Sequence, residues 1–303
     1  MNLNTEGEKN KWDVEIVPDA PLLKLNFKEI WRYRDLLILF VKRDVVTLYK
    51  QTVLGPLWYL IQPLMTSVIF TIIFNGIADI EVGSEANPVS PFLFNLAGIT
   101  IWNYFSECFK NTSDTFKKNE NIFNKVYFPR VIMPMSVVIS NLVKFGIQML
   151  IFLGFYVYFS FSGSSGKIDF STLIYFPVLV IVMGLLGLGF GMMISSMTTK
   201  YRDLTFLVGF GIQLLMYVSA VMYPMDQAIE KLSNKLPEYD HIIVPIIKGN
   251  PLANIVESFR HMFFSDGVFN YYSVLYTVII SIVIFCMGLL IFNRTEKSFV
   301  DTI

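Results

Sequence analysis

The feature that most constrains this chain is a series of long apolar blocks separated by short polar segments. A charge-poor run of about 20 residues crosses the ~30 Å hydrocarbon core of a bilayer as a helix, because a helix satisfies its own backbone hydrogen bonds there. Only 16% of the residues are charged, whereas soluble proteins carry about 25%. The sequence therefore predicts one all-α membrane domain and excludes an ordinary soluble enzyme. Six blocks are long enough to span: residues 57–78, 91–109, 131–159, 172–197, 205–223 and 271–292.

The N-terminal region precedes the first span and has two parts. Residues 1–26 are polar and lack the apolar core of a cleaved signal, so we expect a cytoplasmic tail. Residues 27–54 mix charged and apolar residues at helical spacing, and their unbroken apolar run, 36–41, is too short to cross a bilayer. We predict an amphipathic helix in the membrane interface, which Gly55 and Pro56 end.

The basic residues between the spans indicate how the chain is oriented. They concentrate in the N-terminal 55 residues and recur at 110–130, whereas the segments expected on the other side hold fewer. By the positive-inside rule, both termini and the loops at 110–130 and 198–204 are cytoplasmic. The 24 basic and 24 acidic residues cancel, which argues against nucleic-acid binding by a broadly basic chain.

Motifs for metal, phosphate or hydrolytic chemistry are missing from the sequence. The two cysteines and two histidines stand apart, so no metal site is indicated. The nearest approach to a phosphate-binding loop, residues 163–167, has its glycines too close together and lies in an external loop. We therefore assign this chain no ATPase site of its own.

Ionisable residues within the spans are costly and mark candidate functional sites. Lys144 is expected near the middle of the third span, and Asn141, Lys144 and Gln148 share one helix face. That face either lines a wet cavity or makes a hydrogen-bonded helix contact. Glu107 in the second span is either the partner of Lys144 or a residue of the cytoplasmic rim.

Aromatic residues are numerous, and four of them are candidates for lining a passage in which sugar faces contact rings. They are Trp102, Tyr104, Phe105 and Tyr217. The competing interpretation is that they pack against neighbouring helices or anchor the membrane interface. Glycines at 184, 187, 189 and 191 are expected to let another helix pack closely.

The external region between the last two spans, residues 224–270, holds two short apolar runs at 242–247 and 252–256. Neither run can span the bilayer. They predict two short helices that dip into the outer leaflet or pack on the bundle. The alternative is an ordered external loop.

An ordered set of motifs over residues 30–303 resembles the permease subunit of the ABC-2 polysaccharide exporters. The motifs are Arg43-Asp44, Tyr49-Lys50-Gln51, Leu54-Gly55-Pro56-Leu57-Trp58, Gln62-Pro63, Trp102-Asn103-Tyr104-Phe105, Lys125-Val126-Tyr127-Phe128-Pro129-Arg130 with Pro134, Tyr201-Arg202-Asp203-Leu204, Tyr223-Pro224, Asn250-Pro251-Leu252 with Arg260, and Phe299-Val300-Asp301.

The resemblance implies a homodimer in the bacterial inner membrane with a wide central channel. It also implies two copies of a separate nucleotide-binding subunit that holds ATP and Mg²⁺, and an undecaprenyl-pyrophosphate-linked glycan as substrate. Arg43 and Lys50 would hold the lipid headgroup, because a pyrophosphate is anionic. Channel-lining residues would be Trp102, Tyr104, Phe105, Glu107, Asn141, Lys144, Gln148 and Tyr217.

The resemblance also assigns coupling and gating roles. The interfacial helix and the loop at 110–130 would contact the ATPase, and helices over 226–262 would form an external gate. The coupling residues would be Lys118, Asn119, Asn121, Lys125, Tyr127, Pro129 and Arg130. The gate residues would be Tyr223, Pro224, Asn250, Pro251 and Arg260.

Two other functions are compatible with the sequence. An ABC-2 permease for drugs or small lipids would differ in the width of its channel, which the sequence does not give. A membrane-embedded glycosyl- or acyltransferase would need an acid or base near the cytoplasmic face, and Glu107 is the span residue that could begin such a site.

Overall fold

The computed structural model describes residues 27–50, 55–123, 125–126, 128–198, 201, 203–266 and 269–299, and these are almost entirely helical. The first half of the chain forms α1 (Phe27–Arg32), α2 (Arg34–Lys50), a 3₁₀ turn (Gly55–Leu57), α3 (Trp58–Phe70), a π-helical stretch (Thr71–Ile77), β1 (Gly83–Ser84), β2 (Asn87–Pro88), α4 (Pro91–Ser113), α5 (Thr115–Phe123) and α6 (Ile132–Phe161). The second half forms α7 (Phe170–Leu173), α8 (Phe176–Thr198), α9 (Leu204–Val218), α10 (Met225–Lys235), a 3₁₀ turn (Pro237–Tyr239), α11 (Asp240–Lys248), α12 (Pro251–Phe264) and α13 (Tyr271–Phe299). The strands β1 and β2 make a minimal antiparallel hairpin.

Four helical segments in the described part of the chain are long and apolar enough to cross a membrane. They are Trp58–Ile77, in which the π-helical stretch continues α3, Ile132–Phe161, Phe176–Thr198 and Tyr271–Thr295. The other two predicted spans correspond to α4 and α9. The 23-residue α4 carries Glu107 and Lys110, and α9 has only 15 residues. The chain is thus an all-α membrane protein, as the sequence predicts.

Several helix boundaries differ from those read from hydropathy. The predicted interfacial helix over 27–54 is two helices, because α1 ends at Arg32 and α2 begins at Arg34; residues 51–54 lie outside the described part. The predicted span at 172–197 begins instead at Phe176, since Asp169 caps a separate short helix, α7. The fifth predicted span ends at Val218, five residues early.

The helix α8 lies at the centre of the bundle and packs most extensively against α4 and α13. Close approach requires its glycines: a Cβ placed on Gly187 would lie 2.7 Å from the Cβ of Cys108 on α4. A Cβ on Gly184 would likewise lie 2.7 Å from the Tyr104 hydroxyl. The glycine spacing in α8 therefore serves helix packing, as predicted.

The region between α9 and α13 forms the helices α10, α11 and α12, and the apolar runs at 242–247 and 252–256 lie in α11 and α12. The helix α12 packs on the main bundle, and Leu252, Ile255, Phe259 and Phe264 are buried in the core. In contrast, α11 has no buried residue. At the opposite end of the bundle, α2 and α5 share a second apolar cluster with Phe128 and the start of α6.

Candidate functional site

An ion pair joins α4 and α6 inside the bundle. Lys144 Nζ lies 3.0 Å from Glu107 Oε2, which decides that the two residues are partners. Asn111 Nδ2 donates a second hydrogen bond to the same oxygen at 3.1 Å. The Lys144 side chain is 13% exposed and that of Glu107 is 41% exposed, so the pair is only partly enclosed.

This ion pair lines a cavity of about 180 Å³ between α3, α4 and α6, which we call the Glu107–Lys144 pocket. Along α4 the lining side chains recur every three or four residues, which places them on one helix face. The same spacing relates the lining side chains of α6. Besides the ion pair, the polar lining residues are Tyr59 and Gln62 of α3, Asn103, Tyr104, Ser106 and Lys110 of α4, and Asn141 and Gln148 of α6.

The structure brings together some of the predicted channel-lining residues and separates others. Tyr104, Glu107, Asn141, Lys144 and Gln148 all line the Glu107–Lys144 pocket. Trp102 and Phe105 are instead buried in the core, where they are 3% and 0% exposed. The Tyr at 217 is on α9 and does not line this pocket.

Six residues that line the pocket were not predicted from the sequence to line a passage: Tyr59, Gln62, Asn103, Ser106, Lys110 and Phe145. Lys144 Nζ lies 5.4 Å from the centroid of the Tyr59 ring, a cation–π distance. The signal for Ser106 was present, since it lies three residues after Asn103 on the face that also holds Glu107. Nothing in the sequence fixes which face of α3 turns towards α4.

The residues predicted to hold a lipid headgroup lie on α2. Arg43 and Lys50 are seven residues apart and share one helix face. Arg43 Nη2 lies 2.8 Å from Asp44 Oδ1, and its guanidinium carbon lies 5.0 Å from the centroid of the Phe40 ring. Lys50 is exposed and makes no ion pair with any residue that the structure describes. Asp44 therefore compensates the charge of Arg43, and Lys50 lies on the same helix face.

The predicted coupling residues lie in and after α5, and they differ in exposure. Lys118 is exposed and bonds to Asp114 at 3.3 Å and to Asn111 Oδ1 at 3.5 Å. Tyr127 lies outside the described residues. Of the others, two are buried, Asn119 and Arg130, and three reach the surface, Asn121, Lys125 and, partly, Pro129.

The predicted gate residues converge on the turn that follows α9. Arg260 donates to the carbonyl oxygens of Ala220 (2.8 Å), Val221 (2.5 Å) and Tyr223 (3.3 Å). Asn250 caps α12 by accepting from Leu252 N at 3.0 Å. The two remaining residues begin helices: Pro224 caps α10 and Pro251 is the first residue of α12.

Residues 35–235, more than half of the chain, match the family of ABC-2 type transporters. The chain belongs to that family. It is similar to the O-antigen export system permease protein RfbA of Klebsiella pneumoniae, with 27% identity over 88% of this chain and 94% of the relative. A Myxococcus xanthus protein of the same name is 22% identical over 91% and 98% of the two chains. The capsule polysaccharide export inner-membrane protein CtrC of Neisseria meningitidis is 21% identical over 84% and 89%.

The ABC-2 match contains the main structural features described above. The matched region begins at Asp35 in α2 and ends at Lys235, the last residue of α10. The Glu107–Lys144 pocket and α5 therefore lie wholly within the ABC-2 region of the chain. Arg260 and α12 follow it, although the curated relatives align over most of their own length with this chain.

Proposed function

We propose that this chain is the membrane permease subunit of an ATP-driven exporter that moves a lipid-linked polysaccharide across the bacterial inner membrane. The observation that carries the proposal is the pairwise similarity to three polysaccharide-export proteins, which spans 84–91% of this chain and 89–98% of theirs. Similarity over whole chains favours the same assembly and the same class of cargo, an O-antigen or capsular glycan, over a drug or a small lipid.

The proposed topology has six spans, α3, α4, α6, α8, α9 and α13, with both termini cytoplasmic. Its support is that α4 packs lengthwise against α8 and α6, both long enough to cross a bilayer. The shorter α9 is apolar over all 15 residues apart from Thr205 and Gln213. Its Phe206, Phe210 and Leu214 are exposed, which leaves a face for lipid or for a second copy. The wide channel would lie between two copies.

ATP hydrolysis belongs to a separate partner subunit, which would bind ATP and Mg²⁺. The contact surface would combine α2 and α5, which lie at the same end of the bundle. The rings of Phe40 in α2 and Phe123 in α5 each lie 5.8 Å from that of Phe128. A push on α5 would therefore be transmitted to α2 through packed side chains, and the exposed Lys118 and Asn121 would contact the partner.

The substrate would be an undecaprenyl-pyrophosphate-linked glycan that binds first at α2. Arg43, which is paired with Asp44, and Lys50 share one face of α2 and would contact the doubly anionic headgroup together. Glu107 is engaged by Lys144 and Asn111, an arrangement that suits a fixed carboxylate better than the free acid or base of a transferase. The helices α10 to α12 would close the outer end of the channel.

Purification of the chain from its native membrane in mild detergent tests the proposal. We expect a nucleotide-binding protein to co-purify at one copy per permease and to hydrolyse ATP. Deleting the chain should leave the lipid-linked glycan on the cytoplasmic face, measured by its resistance to a periplasmic glycosidase. A permease that stays alone through gentle extraction, with glycan export unchanged in the deletion strain, would refute the assignment.

A further inference from the structure

Two side-chain amides in the Glu107–Lys144 pocket lack partners in the part of the chain that the structure describes. Gln148 is only 8% exposed, yet its amide makes no hydrogen bond to a described residue. The Asn103 amide, on the facing helix α4, makes none either. Neither amide has an atom that is both buried and unpaired, so both are open to the cavity and can bond to water or to a ligand. The pocket therefore presents donors and acceptors that suit a polar ligand.

The ion pair in the pocket points to the same conclusion. A charge within a span is costly and marks a functional site by default, and a buried ion pair adds little stability compared with apolar packing. The Glu107 side chain is 41% exposed, and both charged groups line the cavity, so a bound compound could reach the carboxylate.

The charge balance of the pocket selects the chemical class of the ligand. Lys144 is neutralised by Glu107 at 3.0 Å, so it has little capacity left for an anion. Lys110 is exposed at the rim. Besides the Lys144–Glu107 pair, the inner lining consists of amides, the Ser106 hydroxyl and the phenols of Tyr59 and Tyr104, which together accept from and donate to hydroxyl groups. This lining favours an uncharged polyhydroxyl compound over a phosphate.

The size of the pocket fits one ring of such a compound. The cavity of about 180 Å³ far exceeds the roughly 10–15 Å³ that a single water needs, so it admits several waters or one small polar ring. The α6 amides at Asn141 and Gln148 are seven residues apart, about 10 Å along a helix. We propose that the Glu107–Lys144 pocket binds one uncharged sugar unit of the exported glycan, through Gln148, Asn103 and Glu107. This inference rests on the proposed function.

The test places a thiol in the pocket and asks which compound protects it. Ser106 lines the pocket, and Ser106→Cys is a nearly isosteric change. Cys286→Ser removes the half-buried native thiol, and Cys108 is fully buried; the same background without Ser106→Cys measures the residual labelling. In the purified permease–ATPase complex, maleimide labelling should slow several-fold with oligosaccharide cleaved from the host's own exported glycan. Inorganic pyrophosphate should not slow it.

A matched pair of variants separates binding from general disturbance of α6. Gln148→Leu removes one uncharged hydrogen-bonding group while keeping a similar volume. It should raise the oligosaccharide concentration that gives half protection about three- to tenfold. Met149→Leu, one residue further on and outside the pocket, should leave that concentration unchanged.

The outcomes distinguish failure of this inference from failure of the proposed function. Protection by pyrophosphate instead of oligosaccharide would make the pocket a headgroup site and overturn the inference. No protection in a complex that still exports glycan would also overturn it, while the exporter assignment stands. A chain that neither exports glycan nor binds an ATPase would overturn both.

Discussion

Lys144 and Glu107 are unequal members of their pair, because the lysine is much more enclosed than the carboxylate. Glu107→Ala leaves an enclosed ammonium without a carboxylate, a loss of the kind that costs about 3–5 kcal/mol when fully buried. Lys144→Ala leaves a half-exposed carboxylate that still accepts from Asn111, and exposed pairs contribute only about 0–1 kcal/mol. We therefore expect Glu107→Ala to lower the apparent melting temperature in detergent more than Lys144→Ala. The fraction of monodisperse protein after heating measures both.

The double variant is the control for this prediction. Glu107→Ala with Lys144→Ala removes both charges and should recover part of the stability that Glu107→Ala loses. The prediction is wrong if the two single variants lower the melting temperature equally, or if the double variant is less stable than either. In both cases the carboxylate would not be stabilising the chain by compensating the enclosed ammonium.

The Arg260 side chain binds backbone carbonyl groups of the turn that follows α9, and these contacts are closer than its contact with an acidic side chain. It donates to three carbonyl oxygens, whereas Glu257 lies 4.0 Å away. Leaving a buried acceptor unpaired costs about 1–3 kcal/mol. Arg260→Met should therefore destabilise the chain strongly, Arg260→Lys less, and Glu257→Gln least, as measured by limited proteolysis between α9 and α12. A Glu257→Gln variant as sensitive as Arg260→Met would instead make the ion pair the main contact.

At the scale of elements, the close contact between α4 and α8 requires a glycine, Gly187, on α8. A Cβ on Gly187 would lie 2.7 Å from the Cβ of Cys108, whereas one on Gly154 of α6 would meet nothing within 4 Å. Overpacking costs about 1–3 kcal/mol, and alanine favours a helix over glycine by about 1 kcal/mol. Gly187→Ala should thus reduce the yield of folded protein, and Gly154→Ala should maintain or raise it. Adding Cys108→Gly to Gly187→Ala should restore part of the yield; failure of that rescue, with Gly154→Ala also harmful, would refute the steric argument.

The helices with the strongest hydropathy were predictable from the sequence, but their ends and contacts were less so. The spans that become α3, α6, α8 and α13 appear as apolar runs, since burial in lipid requires only composition and length. The early end of α9 at Val218 depends on Arg260, 42 residues later, which satisfies the carbonyls of the turn. A local pattern does not contain such a partner.

The candidate site follows the same division. The periodicity of Asn141, Lys144 and Gln148 correctly predicted one polar face on α6. Whether Glu107 pairs with Lys144 or lies at the cytoplasmic rim depends on how far α4 is shifted along its axis relative to α6, which the sequence does not give. The burial of Trp102 and Phe105 likewise depends on which face of α4 turns towards the core. Register and rotation are set by packing against several helices at once.

For the whole molecule, the number of crossings determines which loops share a side of the membrane. Six spans place α5 and both termini on the cytoplasmic side, and the α6–α7 loop outside. If only the four longest apolar segments crossed, with the N-terminus still inside, α5 would lie outside and the α6–α7 loop would lie inside. Lys117 in α5 and Lys167 in that loop are both exposed. Cysteine substitutions at these two positions therefore report opposite results for the two topologies.

We expect Lys117→Cys to resist a membrane-impermeant maleimide in intact spheroplasts and to react after permeabilisation. Lys167→Cys should react in both conditions, because basic residues gather on the cytoplasmic side and Lys167 lies in a segment with few. Lys231→Cys in α10 lies outside in either topology and controls for reagent access, and all three variants carry Cys286→Ser. Labelling of Lys117→Cys in intact spheroplasts, together with protection of Lys167→Cys, would mean that α4 and α9 do not cross. Because α5 could not then reach a cytoplasmic ATPase, the same result would remove α5 from the proposed coupling surface.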